Sequence, residues 1–332
     1  MKKFFLFIFL AVAITGYAQN NTHYRIVKKI HVPGNSFWDY LNIDSHGNLY
    51  VSHGEMVQVV NAKSGEVIAT MKGLDGVHGI TLAPKLNKGF ISSGRDSVVA
   101  VFDLKTFKIL RKVKVTGANP DCIVYDPFSN RVFAFDGHSD CVTVIDANTE
   151  KVVKTIPLMG NPEFAVTNDS GRIYVNIENK SMISCIDTKT LEVLKTWSIA
   201  PGEEPSGLAA DFTNNKLFSV CRNKIMVVFD IKKEKVVATL PTGGHTDGAG
   251  FDPVLKRAYS SNGEGTLTVV QENGDSFKVL EQVPTEAGAR TNIVDPKTHH
   301  IYLPTAQFYP LQKGERWPKQ KPGTFVILDV AP

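Results

Sequence analysis

The sequence predicts an all-β fold, a ring of seven four-stranded sheets, and three observations carry that prediction. One unit recurs seven times along the 332-residue chain. Each unit reads as four short alternating runs rich in Val, Ile, Tyr and Phe, broken by Asp, Asn, Pro and Gly, and nothing holds a 3.6-residue period for long. The last unit lacks its fourth run, and a matching run stands ahead of the first unit.

In chain order, Lys2 and Lys3 precede an apolar run over Phe4–Ile14 and the small residues Gly16 and Ala18. That pattern suits signal-peptidase cleavage before Gln19, and the run is too short to span a bilayer. Residues 1–18 are therefore expected to be an export signal and residues 19–332 a single propeller domain, periplasmic or secreted. No later run approaches the roughly 20 apolar residues of a membrane span, and no Cys follows the signal to take a lipid anchor.

Tyr24–Val32 comes next. It reads as the missing outer strand and is expected to pair with Thr324–Leu328, joining the chain ends and removing two exposed sheet edges.

The seven units follow. Their first runs end at Asp44, Ala83, Asp126, Asn168, Asp211, Asp252 and Asp295, spaced 39 to 43 residues apart. A later run ends at Asn61, Asp103, Asp146, Asp187, Asp230, Gln271 and Asp329. In the third unit the strands are expected at Asp121–Tyr125, Arg131–Phe135, Cys141–Ile145 and Lys151–Ile156. The turns Asp126–Asn130 and Asp146–Thr149 separate them, because Asp and Asn bond their own backbone and Pro fixes φ. Four strands per such unit is the signature of a β-propeller blade. The last unit is lengthened by an insertion, Ala306–Gly323, rich in Pro, Lys and Gln and carrying Phe308, Tyr309 and Trp317. It joins the second and third strands, so it is expected to project over the channel mouth as a lid or partner surface.

Composition narrows function. The chain carries +4, and without Lys2 and Lys3 it has 35 basic against 33 acidic residues, +2. Such a balance excludes a strong basic field, and with it nucleic acid as a partner. The four cysteines, Cys122, Cys141, Cys185 and Cys221, each lie inside a strand-like run with no C-x-x-C spacing, which fits buried free thiols. G-x-S-x-G, H-E-x-x-H, P-loop and dinucleotide-binding signatures are absent.

Two stretches are specific. Gly117-Ala-Asn-Pro-Asp-Cys-Ile-Val-Tyr-Asp-Pro127 followed by Cys141-Val-Thr-Val-Ile-Asp146, and Gly288-Ala-Arg-Thr-Asn-Ile-Val-Asp-Pro296 with Ile301-Tyr-Leu-Pro-Thr-Ala306, resemble the YncE-like, YVTN-repeat β-propellers. The YVTN column itself is diverged, at Tyr50-Val-Ser-His53 and Tyr174-Val-Asn-Ile177. The resemblance implies a seven-bladed propeller in an exported group whose members mostly have no assigned reaction, so it bears on fold far more than on function.

In a propeller two positions per blade should reach one mouth of the channel. The start of the innermost strand supplies Asp39, His78, Asp121, Glu163, Ser206, Asp247 and Arg290; the end of the second strand supplies His53, Ser93, Asp136, Ile177, Cys221, Asn262 and Thr305. The first set holds four carboxylates where apolar residues would be usual. Two readings stay open: a wet, inert mouth, or a site. The ligand candidates are Asp39, His78, Asp121, Glu163, Ser206, Asp247 and Arg290, with His53 and Asp136. Converging carboxylates repel and raise one another's pKa, which a divalent cation relieves. Asp39, Asp121, Glu163 and Asp247, with His78 or His245, offer donors for Ca²⁺, Mg²⁺ or Zn²⁺. Arg290 is poised either to clamp a ligand carboxylate or to pair with Asp39 or Asp247. Arg222 is expected to pair with Glu178 at the rim, His138 and His245 to be loop residues, and Trp38 to stack on a ligand or pack between blades.

The expected function is binding of a small molecule, metal or protein partner at the mouth, by a monomer. The alternative is a metal-assisted hydrolase or lactonase acting on a lactone or sugar acid, with Glu163 or Asp121 as general base. A third class uses only the side surfaces.

Overall fold

In the computed structural model, which describes residues 23–312 and 318–332, seven antiparallel four-stranded sheets surround a central axis. Residues 1–18, expected as the export signal, and Trp317 of the insertion lie outside the described residues. Blade 1 runs from Leu41–Ile43 to Val67–Met71, blade 2 from Val77–Ala83 to Ile109–Lys114, and blade 3 from Pro120–Asp126 to Lys151–Pro157. Blades 4, 5 and 6 begin at Pro162–Thr167, Pro205–Asp211 and Thr246–Asp252 and end at Glu192–Ser198, Lys235–Pro241 and Ser276–Pro284. In blade 3 the middle strands are Arg131–Asp136 and Cys141–Asp146, within a residue of the repeat reading.

Blade 7 closes the ring. Its inner strands, Ile293–Asp295, His300–Thr305 and Val326–Ala331, come from the C-terminal end, and Arg25–His31 completes it as the outermost strand. The pairing runs from Arg25 opposite Ala331 to His31 opposite Val326, antiparallel, as the sequence predicts. Tyr24, Ile30 and Val32 are buried by this closure.

Apolar side chains of each sheet interlock with the next, so the core is a circle of clusters between blades rather than one central mass. All four cysteines are buried and unpaired within it.

Two kinds of β-bulge recur, and they serve opposite surfaces. Every outer strand carries one extra residue: Val27, Ile68, Leu110, Val153, Leu194, Val237 and Leu280. An extra residue twists a strand and breaks its ladder, which blunts the seven open sheet edges against pairing with another chain. The second kind lies at the start of the innermost strand in blades 2 to 6. In blades 1 and 7 that strand is shortened to three residues instead. These inner irregularities fall on the channel mouth.

Candidate functional site

Backbone irregularity and acidic side chains coincide. His78, Asp121, Glu163, Ser206 and Asp247 sit inside the inner-strand bulges, and Asp39 and Arg290 lie just ahead of the shortened strands of blades 1 and 7. A bulge re-aims the side chain it carries. Side chains separated by some forty residues in sequence therefore meet at one end of the axis.

His78 is the hub. Its Nδ1 lies 2.6 Å from Asp39 Oδ2 and 3.8 Å from Asp121 Oδ1. Burial pulls the imidazole down, yet the Asp121 and Asp39 carboxylates raise it to about 9, so it is cationic at neutral pH. On the other side Arg290 Nε bonds Asp247 Oδ2 at 2.8 Å, its NH2 donates to Trp38 O at 2.8 Å, and Asp39 Oδ1 lies 3.8 Å away. Arg290 thus pairs within the ring. Burial, followed by the neighbouring acids, raises Glu163 well above the usual carboxylate range. Burial is also the leading cause for Asp121 and Asp247, which His78 and Arg290 respectively draw back down. Four acids face two cations, and part of the surplus negative charge is held as protons.

Among the described residues the ligand atoms of Asp39, His78 and Asp121 lie within 4.8 Å of one another, close enough to share one ion. Asp121 Oδ1 is buried and accepts no hydrogen bond. Phe37 lies tilted beside the His78 ring, with centroids 6.1 Å apart.

The opposite end of the propeller satisfies its acids one by one. There Asp211 meets Lys256 Nζ at 2.9 Å, Asp252 meets His299 Nδ1 at 2.7 Å, and Asp126 accepts from Ser129 and Thr167 hydroxyls. Glu272 is the exception at that end. It is 2% exposed, beside Asp211, and burial followed by the Asp211 charge pushes it up to about 7. A raised carboxyl favours the folded state fully below its unfolded pKa, and that contribution fades as pH climbs toward 7. Unfolding midpoints measured from pH 5 to pH 8 are therefore expected to fall. Glu272→Gln should remove on the order of 2 kcal/mol of that dependence, allowing for residual solvent screening; an unchanged pH profile would contradict the assignment.

The second set of positions does not join the ring. His53, Ser93, Asp136, Ile177, Cys221, Asn262 and Thr305 are all wholly buried. Only the innermost strand faces the axis, and side chains of the second strand point into the interfaces between sheets. His53 bonds Gln58 Oε1 at 2.7 Å, accepts from Ser36 N and stacks on Phe325. Asp136 accepts from Thr143 Oγ1 at 2.6 Å. Both are thus internal staples. Ser206 belongs to the ring by position, but its hydroxyl donates to Thr246 O and clips blade 6.

Trp38 is 3% exposed between Phe308 and Phe325, so it packs rather than presenting a face. The base of the insertion is a short antiparallel arm, with Tyr309 N bonded to Lys319 O and Lys321 N to Gln307 O. Phe308 seats that arm on Trp38, whose carbonyl Arg290 holds, so the arm's base borders the mouth. Arg222 pairs with Glu178 at 2.7 Å, and His138 and His245 are exposed loop residues.

Two groups escaped sequence reasoning. Ser52, Ser92, Asn176 and Ser261, one residue before the second set, satisfy the backbone that the inner irregularities leave unpaired. Ser52 Oγ accepts Asp39 N, Ser92 Oγ donates to Asp121 O, Asn176 Nδ2 donates to Ser206 O, and Ser261 Oγ donates to Arg290 O. Their polarity in otherwise apolar strands was the available signal. The other is Tyr40, next to Asp39, which is buried and meets Phe164 of blade 4 edge-to-face.

Known proteins agree on the fold. Antigen Lp49 of Leptospira interrogans serogroup Icterohaemorrhagiae serovar copenhageni (strain Fiocruz L1-130) is 25% identical over 231 residues, covering 62% of this chain and 48% of that protein. The chain thus spans about half the length of that curated relative. Among solved structures, Kuenenia stuttgartiensis hydrazine synthase superposes with a TM-score of 0.72 at 15% identity, over 82% of this chain and 94% of that one. The WD40 repeats of RRP9 give 0.77 at 8% identity, over 93% and 99% of the two chains. A chain of the mitotic checkpoint complex gives 0.75 at 14%, over 91% and 95%. At such identities the likeness is one of architecture. Residues 17–307 match a described family, and the chain belongs to it: DUF5074, a domain of unknown function.

Proposed function

We propose that this chain is an exported binding propeller whose mouth takes a divalent cation between Asp39, His78 and Asp121. The observation that carries this reading is the approach of three ligand atoms to within 4.8 Å, one of them a buried carboxylate oxygen with no hydrogen-bond partner. The surplus of four acids over two cations around it supports the same reading. One imidazole with two carboxylates suits Zn²⁺ better than Ca²⁺ or Mg²⁺, which prefer oxygen throughout. His78 would bind as the neutral imidazole, its proton released to solvent as the ion enters, and three protein donors leave a coordination position open for water or a small molecule. Export rests on the signal-like residues 1–18, and kinship with the YVTN-repeat propellers on the Gly117–Pro127 and Gly288–Pro296 stretches.

Calorimetric titration of metal-free protein with zinc chloride, and in parallel with calcium and magnesium chloride, tests the reading. About one equivalent of zinc is expected to bind, and Asp121→Asn to weaken it at least tenfold with a melting temperature close to wild type. No heat of binding and no thermal shift with any of the three ions would sink the proposal.

Glu163 favours a second reading, metal-assisted hydrolysis of a lactone or sugar acid. A carboxyl whose hold on its proton burial strengthens suits a general acid, giving its proton to the leaving oxygen. The direction of that shift favours this role over the general-base role expected from sequence. Lactone hydrolysis by zinc-loaded protein, lost in Glu163→Gln with zinc affinity retained, is the expected result. Equal rates in both proteins would remove Glu163 from the chemistry.

A further inference from the structure

The residues that follow the ring positions in sequence are Tyr40, Gly79, Cys122, Phe164, Gly207, Gly248 and Thr291. Five are small, which lets inner strands of neighbouring blades approach closely. Two are aromatic, and they sit in blades 1 and 4, almost opposite one another in a ring of seven.

Those two rings meet. The Tyr40 and Phe164 centroids are 5.0 Å apart at 70°, an edge-to-face contact. Tyr40 is 8% exposed and packs in one cluster with Cys122 of blade 3 and Ala165 of blade 4, although it issues from blade 1. A side chain of blade 1 reaches those partners only by crossing the axis.

We propose that Tyr40 and Phe164 form an aromatic floor that closes the central channel beneath the carboxylate ring. The ring is then a blind cup, filled and emptied only through the loop face that carries the insertion. Water is excluded from below, so charges in the cup attract a cation more strongly than they would in an open, hydrated channel. A closed floor lets no chain thread through the axis. The floor does not depend on the cation reading.

Cys122 reports on the floor, because it is 3% exposed and belongs to the same buried cluster as Tyr40. Native protein would be treated with N-ethylmaleimide and labelling at each cysteine followed by mass spectrometry. Wild-type Cys122 should be protected. Tyr40→Ala is expected to speed its labelling at least tenfold while Cys185, in another interface, stays protected as a control for folding. Phe164→Ala should do the same and stands in if Tyr40→Ala does not fold. Cys122 as protected in these variants as in wild type would overturn the floor. Tyr40→Phe keeps the ring but loses the hydroxyl, so Cys122 should stay protected; labelling as fast as in Tyr40→Ala would overturn the aromatic floor. A wild-type protein that takes up no zinc overturns the cation reading, and the labelling still decides the floor.

Discussion

A chain starting after residue 32 is expected to lose most of its stability, because the segment it lacks ties three blades together. Arg25–His31 supplies the fourth strand of blade 7. Tyr24 bonds the Tyr259 hydroxyl at 2.9 Å and accepts from Arg257, both in blade 6. Lys28 Nζ reaches Lys63 O of blade 1 at 2.8 Å. Burying Tyr24, Ile30 and Val32 contributes about 6 kcal/mol at the usual gain per buried apolar side chain. That is comparable with the whole stability of a typical domain. The truncated protein should melt more than 15 °C below a chain that keeps residues 19–32, followed by circular dichroism, or accumulate as aggregate through its exposed edge. A melting point within a few degrees of that longer chain would show that blade 7 holds without its outer strand.

Gly207→Ala is expected to damage both fold and site, though it adds a single methyl group. A Cβ at Gly207 would stand 2.4 Å from Ala249 N, 2.7 Å from Gly248 C and 2.9 Å from Asp247 O. All three are backbone atoms of blade 6, so no side chain can swing away to make room. Separating the two inner strands should cost about 1–3 kcal/mol, the usual range for overpacking. It should also move Asp247, which carries the Arg290 pair at 2.8 Å. Zinc affinity is expected to fall along with the melting temperature. A variant that melts as wild type would mean the strands yield without strain.

The truncation and the glycine variant probe levels of organisation that differ in how far they could be read from sequence. The repeat was legible because each turn is local chemistry. Asp126 and Asp146 bind backbone amides two or three residues on, and such turns recur wherever the spacing recurs. Closure was legible for a related reason: Tyr24–Val32 has the alternation of an outer strand, and the last blade lacked one. The ring positions Asp39, His78, Asp121, Glu163, Asp247 and Arg290 followed from the repeat alone, and they do meet at one end of the axis.

What failed to read out depends on side-chain direction. His53 and Asp136 recur at the same regular spacing as the ring, yet they turn between sheets, because the pleat of a second strand offers them an interface and not the axis. Nothing in the repeat marks Tyr40, and only the fold brings its ring to Phe164 of blade 4. Whether Arg290 meets a ligand or its neighbours was open in sequence, and the 2.8 Å contact with Asp247 resolves it for the protein as it stands.

Periodicity and local turn chemistry, both readable along the chain, set the seven blades, their four strands, the strand that closes the ring and the acids that gather at one mouth. Which polar residues face the axis and which cation each acid meets emerge only once the chain is folded. Those outcomes depend on bulges, pleat direction and contacts between blades, where residues far apart in the chain set one another's orientation and charge.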